Sequence, residues 1–375
     1  MNKLSIKTQS HPEGDAYLLH RNALRPLLPY ADEKDLFESC KQIDKIGETR
    51  FTKFLDQQGL ASMWHRALHN AAKNTLVSEY FLETLHQSRL LATSTYLLQS
   101  KGLRDIKSTL DNGHINHVVF KGCHIRESIY DEPALRPACD IDVLISPDDQ
   151  IMAIQALVSA GYQFTPNSEN ISHEMTLNKG GISIDLHWDI MRPGRTRIPM
   201  TETLLKTRQE FSTHWGFNND ATLFLMLVHP VFTKYSTTPH STLTRIVDLA
   251  HWIEIMKLDW EQLYNWLKDA GMQTAAWITL EWLRQLTGVI TPSFFIRKIQ
   301  PGNLKIIYLK HWIKENYSSK VLEHPLLIQI AFTLPAHDNL SDAIHAMTNL
   351  LKAKKLEKRK MNELTATYEK ALLSR

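Results

Sequence analysis

Cysteine is scarce in this chain. Three residues in 375, Cys40, Cys123 and Cys139, form neither an even disulfide framework nor a CxxC metal pair, so neither a disulfide scaffold nor structural zinc is expected. That usage fits a reducing compartment. One-sided charge is also missing: 43 Lys+Arg stand against 40 Asp+Glu, a net charge of +3, so no global field recruits nucleic acid or an anionic membrane, and any such partner needs a local patch. Long apolar runs are absent too. The longest, "ATLFLMLVHPVF" from Ala221, is too short to cross a bilayer as a helix, and the opening "MNKLSIKTQSHPEGD" lacks the apolar stretch of a signal peptide. A cytoplasmic location with no membrane partner is expected. No internal repeat and no low-complexity linker breaks the chain.

What is present is an ordinary globular composition, 43% apolar and 22% charged, in a length that suggests two or three packing units. Residues 1–113 read as a helical region, with apolar positions three and four apart as in "FLETLHQSRLLATSTYLLQSKGLRDIKSTL". At Asp111-Asn112-Gly113 the pattern stops, and His117 to Phe120 read as a short strand ending at Lys121-Gly122. Cys123 to Tyr130 suit a short helix. A turn-rich loop, "DEPALRPAC", leads into the strand "DIDVLI", and a helix begins near Pro147. "HEMTLNK", Gly180-Gly181 and "ISIDLHW" read as a β-hairpin. From 201 to 375 helices return. The expected fold class is therefore α+β, with a mixed core at 114–200 between amino-terminal and carboxy-terminal helical regions.

Side chains alternate faces along a strand, so Asp140 and Asp142 point one way while Ile141, Val143 and Ile145 point the other. Residues two apart are ~6.5 to 7 Å apart, close enough for both carboxylates to lean onto one or two divalent cations. In the second hairpin strand Asp185 and His187 share the polar parity opposite Ile184 and Leu186, which makes Asp185 a third acid. Asp189 has the same parity but falls at the strand's end. Lys121 and Gly122 start a helix, where free amides, a bare glycine and an ammonium suit phosphate. Arg136, four residues before Asp140, is a candidate second phosphate contact.

In this order the segments "VVFKG", "IYDEPALRPACDIDVLI", "GISIDLHWDI" and the helical "LTRIVDLAHWI" resemble the nucleotidyltransferases of the polymerase-β superfamily, most closely the bacterial branch called nucleotidyltransferase family 5. The resemblance runs from the amino-terminal helices to about Gly288. It implies a polymerase-β-like core with a small mixed sheet, and an enzyme of the EC 2.7.7 type. Such an enzyme moves a nucleoside monophosphate from a nucleoside triphosphate, ATP among the candidates, to a hydroxyl-bearing acceptor with release of pyrophosphate. Carried over by position, Asp140 and Asp142 hold Mg2+, with two ions expected. Asp185 is the third acid, a metal ligand that helps to activate the acceptor. Lys121, Gly122, Arg136 and His187 become nucleotide-binding residues. The wider superfamily has a glycine followed by serine or a second glycine after its first strand. Here Cys123 follows Lys121-Gly122, and Lys121 is expected to replace part of that phosphate contact by charge.

The acceptor, a protein, a small molecule or an RNA end, is not legible. Two other readings stay open: a catalytically silent nucleotide- or partner-binding module of the same fold, and an enzyme directed at RNA ends or tRNA. The basic run "KAKKLEKRK" from Lys352 reads as one solvated helix rather than a nucleic-acid contact. Arg245 and Asp248 read as a buried pair joining helices rather than as acceptor-side groups, with His229 nearby in the pattern. The nine tryptophans are expected to pack the core.

Overall fold

The structure, a computed structural model, describes residues 15–70, 76–164, 173–233, 242–314 and 329–373. The helical spacing of the first third produces α1 (Asp15–Leu24), α2 (Glu33–Ile46), α3 (Glu48–Gln57), α4 (Ala61–Asn70) and the 34-residue α5 (Glu79–Asn112). Caps mark where they begin. Asp32 accepts from the amides of Lys34 and Asp35 while the Asp35 carboxylate accepts from the amide of Asp32, and the hydroxyl of Ser78 accepts from the amide of Phe81. Past Gly113 the chain enters β1 (His117–Phe120), then α6 (Lys121–Ile129) and β2 (Ile141–Ile145). The Pro147 signal opens a single 3-10 turn, and α7 (Gln150–Ser159) begins after it.

β1 and β2 join β3 (Gln163–Phe164), β4 (Glu174–Lys179), β5 (Ile182–His187), β6 (Arg208–Glu210) and β7 (Trp215–Phe217) in one mixed sheet of order β3-β4-β5-β2-β1-β7-β6. β4 and β5 are a hairpin whose two-residue turn, Gly180 at φ +55° and Gly181 at φ +83°, supplies the two positive angles that match the twist of the strands. β2 runs antiparallel to β1 but parallel to β5. Two strands lie past residue 200: β7 pairs parallel with β1, and β6 pairs with β7, so the sheet extends beyond the 114–200 block. Their three-residue length gave no periodic signal in the sequence.

Alternation along the strands builds two cores. Val119, Ile141, Val143, Ile145, Ile184 and Leu186 pack with residues of α5 and α7, and with Leu364 near the end of the long α15 (Leu340–Leu373). Val118, Phe120, Leu144 and Phe217 face the larger core. There α1 to α4 meet α8 (Thr201–Leu205), α9 (Asn219–Thr233), α10 (Thr242–Ile255), α11 (Trp260–Ala270), α12 (Gln273–Thr287), α13 (Ser293–Ile299) and α14 (Asn303–Lys314). The helices before and after the sheet thus share one core on one sheet face. Trp64 and Trp252 are fully enclosed in it, as the tryptophan content suggested.

Two polar clasps cross this larger core. Asp248 of α10 accepts from Arg136 Nη2 at 2.8 Å, from Arg136 Nε at 3.1 Å and from the Tyr130 hydroxyl at 2.8 Å. The expected Arg245–Asp248 pair is therefore replaced by one that crosses from the loop before β2, because that loop turns Arg136 inward above α10. The second clasp joins His124 of α6 to His214, Nδ1 to Nε2 at 3.1 Å, with Thr222 Oγ1 3.1 Å from His124 Nε2. Both rings are fully enclosed, and burial pushes His124 down to about 4 and His214 down to about 2.

As pH falls below the ordinary imidazole value of ~6.5, the unfolded chain binds protons that these two folded rings refuse, so the stability of the neutral buried rings is lost from about pH 6.5 down to about 4 for His124 and on down to about 2 for His214. Urea unfolding across that window should show a slope that flattens in His124→Asn/His214→Asn, by up to about 1.4 kcal/mol per pH unit for each ring removed. An unchanged slope in the double variant contradicts the assignment. Asp248→Ala leaves the Arg136 guanidinium buried without its counter-charge, and a loss of roughly 3 to 5 kcal/mol is expected in the same measurement.

Candidate active site

The parallel pairing of β2 with β5 sets Asp142 opposite Asp185, and the antiparallel pairing of β4 with β5 sets Thr176 opposite Asp185 and Glu174 opposite His187. One polar face thus collects side chains from three adjacent strands. The Thr176 hydroxyl donates to Asp185 Oδ1 at 2.7 Å. His187 places Nε2 3.0 Å from Asp142 Oδ1 and Nδ1 3.0 Å from Glu174 Oε2. Asp140 stands one residue before β2, and its charge acts on Lys121 in the same sense as that of Asp142. Ligand atoms of Asp142, Asp185 and His187 all lie within 4.8 Å of one another, a spacing one cation can span. Asp142 and His187 are buried, whereas Asp140 and Asp185 are partly exposed, so the acids are graded in depth rather than all set at an opening. Asp189 turns to its own chain, where Oδ1 accepts from the amide of Ile190 at 2.7 Å.

Lys121 heads α6 with φ +56°, a left-handed conformation that a side-chain-bearing residue adopts at a cost of about 1 to 3 kcal/mol. The strained turn sends its ammonium inward, 2.5 Å from Asp142 Oδ1 and 3.4 Å from His187 Nε2. Burial by itself would lower the lysine, but Asp142 and then Glu174 outweigh it and raise the ammonium above its usual value. Burial would likewise raise Asp142, yet Lys121 and His187 hold that carboxyl well below the usual range. Gly122 has a steric rather than a conformational reason: a Cβ there would lie 2.4 Å from Arg136 Nη1. Arg136 itself is committed to Asp248, and its Nη1 donates to the carbonyl of Pro137 at 2.9 Å.

Arg245, one helical turn before Asp248 on α10, is half-buried; burial and then Arg136 lower it, while Asp142, Asp248 and Asp140 act in the opposite sense. It is a further cation in the field of the acids. His229 is buried within α9. Residues 352–360 run within α15, and most side chains of that basic stretch lie outside the described residues. A cavity of about 560 Å³ lined by His65, His69, Glu79, Tyr80, Leu82, Glu83 and His86 shares no residue with the acid cluster. No helix among the described residues is long and apolar enough to cross a membrane.

Glu174, Thr176 and the Asp248–Arg136–Tyr130 clasp escaped the sequence reading. The first two carried a usable signal, since counting back from the two-residue turn at Gly180-Gly181 sets 176 against 185 and 174 against 187. The clasp had none, because its partners are 112 and 118 residues apart.

Chemically, the face offers carboxylates for a hard divalent cation and an ammonium beside them, at the mouth of a strand-to-helix turn. Comparison with curated proteins finds no match, nor does comparison with solved structures. The model of a family described as uncharacterised nucleotidyltransferase matches residues 44–288, well over half of the chain. That span contains all three acids, the Lys121-Gly122 turn, the β4–β5 hairpin and α10, and this chain belongs to that family of uncharacterised nucleotidyltransferases.

Proposed function

We propose that the chain is a divalent-cation-dependent nucleotidyltransferase that takes a nucleoside monophosphate from a nucleoside triphosphate and releases pyrophosphate, on a core of polymerase-β type. The carrying observation is the side-by-side placement of Asp142 and Asp185 on parallel strands, with Asp140 at their exposed end and the Lys121 ammonium among them. The donor set fits Mg2+, a hard ion that prefers carboxylate oxygens and keeps part of its water. Asp142 and Asp185 would hold it, with Asp140 able to add a second carboxylate group for another ion. When bound, such ions lower the pKa of an attacking hydroxyl and neutralise charge on the leaving oxygens.

The remaining roles fall to the chain's own groups. Asp185, steadied by Thr176, is placed to take a proton from the acceptor hydroxyl. Lys121 exchanges Asp142 for a phosphate oxygen of the triphosphate. Gly122 lets Arg136 close under the turn, where Arg136 supports the phosphate site through packing and charge. His187 holds Asp142 in place. The acceptor is any hydroxyl-bearing molecule that the half-exposed side of the cluster admits.

The test is incubation with each labelled triphosphate, Mg2+ and a panel of acceptors, reading pyrophosphate release and nucleotide attached to acceptor or protein. Asp142→Asn and Asp185→Asn are each expected to lower turnover on the order of a hundredfold or more, and Asp140→Ala to lower it as well. Full activity in Asp140→Ala removes that residue from the site. Triphosphate binding without pyrophosphate release across the panel defeats the enzymatic reading in favour of a binding module. Lys121→Met should raise KM for the triphosphate, because its charge contributes to ground-state and transition-state binding alike.

A further inference from the structure

The imidazole of His187 is 1% exposed and has a carboxylate beside each nitrogen. The two contacts differ. Nε2 is 3.0 Å from Asp142 Oδ1 in hydrogen-bonding geometry, whereas Nδ1, 3.0 Å from Glu174 Oε2, is buried and makes no hydrogen bond. The Glu174 oxygen is close but lies off the direction in which the ring nitrogen donates or accepts. A third group converges there: His173, immediately before β4, brings Nε2 to 3.5 Å from the same Glu174 oxygen. Donor atoms of His173, Glu174 and His187 all lie within 4.8 Å of one another.

We propose that His173, Glu174 and His187 form a second metal site, behind the acid pair, for a first-row divalent transition ion of the zinc class. Two imidazoles and a carboxylate are the donor set such ions take, whereas Mg2+ prefers an all-oxygen shell. Spacing agrees as well. Two donors each about 2.0 to 2.1 Å from a tetrahedral ion are ~3.3 to 3.4 Å apart, and the observed 3.0 and 3.5 Å bracket that value. The geometry also accounts for the orphaned Nδ1, whose lone pair points to an ion between the three groups rather than at Glu174 itself.

The consequence reaches the acids. An ion on Nδ1 leaves the ring proton on Nε2, so His187 becomes a fixed donor to Asp142. It also neutralises Glu174, which otherwise adds its charge to that of Asp142 around Lys121. The second ion therefore sets the tautomer and the local charge on which the first site depends, without touching a substrate. The proposal departs from the expectation that structural zinc is absent, which rested on the cysteine count and so weighed thiolate ligands alone. This set of ligands comes together from a hairpin.

The test uses untagged full-length protein purified without chelator, and its readouts are metal content and Co2+ absorption rather than activity. Roughly one transition ion per chain is expected by mass spectrometry of the metals. After stripping, Co2+ should give the visible absorption of a low-coordinate nitrogen and oxygen site. His173→Ala and the isosteric Glu174→Gln should each weaken Co2+ binding by about tenfold or more, with native circular dichroism retained. Asp142→Asn should keep the Co2+ spectrum, which separates this site from the acid pair whether or not the protein transfers nucleotides. Wild-type protein with neither bound transition metal nor Co2+ absorption overturns the proposal. So does Co2+ binding that survives both His173→Ala and Glu174→Gln, and so does binding that Asp142→Asn alone abolishes.

Discussion

A carboxylate closed off from water must find positive charge or lose its own. Asp142 is that carboxylate, set inside the sheet face by the register of β2 between β1 and β5. Two groups answer it: the Lys121 ammonium, brought in by a left-handed turn that lysine adopts only under strain, and the edge of His187. The strain at Lys121 and the burial of Asp142 are one arrangement, since each is tolerated because of the other.

The rest of the fold holds that face in register. The loop before β2 is anchored by Arg136, which reaches over Gly122 to Asp248, and Asp248 also receives the Tyr130 hydroxyl. Three segments, the end of α6, the approach to β2 and the middle of α10, are thus joined at one buried carboxylate. Removing water from that clasp makes it rigid, because a buried ion pair with all its partners present has no cheap alternative geometry. Helices from both ends of the chain cover this side of the sheet, so the site lies at the junction of elements distant in sequence. The opposite face packs with α5, α7 and α15 into a second, separate apolar core.

Much of this was legible beforehand. The parity of "DIDVLI" and "ISIDLHW", the glycine turn between β4 and β5 and the strand ending at Phe120 follow from the two-residue repeat of a strand and from the positive φ that paired glycines supply. Lys121 and Gly122 were singled out as phosphate ligands on local chemistry. The structure adds a partner for one and a steric reason for the other. Arg136 shows where local reasoning runs short: its nearness to Asp140 in sequence suggested a role beside the acids, while its guanidinium turns to a helix more than a hundred residues later.

The sequence by itself determined the alternation of helical and strand segments, the α+β class and the face on which Asp142 and Asp185 would lie, because these depend on periodicities of 3.6 and 2 and on turn residues a few positions apart. Only the tertiary structure decided which strands are neighbours, and so that Asp142 stands opposite Asp185. It also decided that Asp248 pairs with Arg136 rather than Arg245, that β6 and β7 extend the sheet, and that Glu174 and His173 gather around His187. Those outcomes depend on contacts between residues far apart in the chain, which no local pattern encodes.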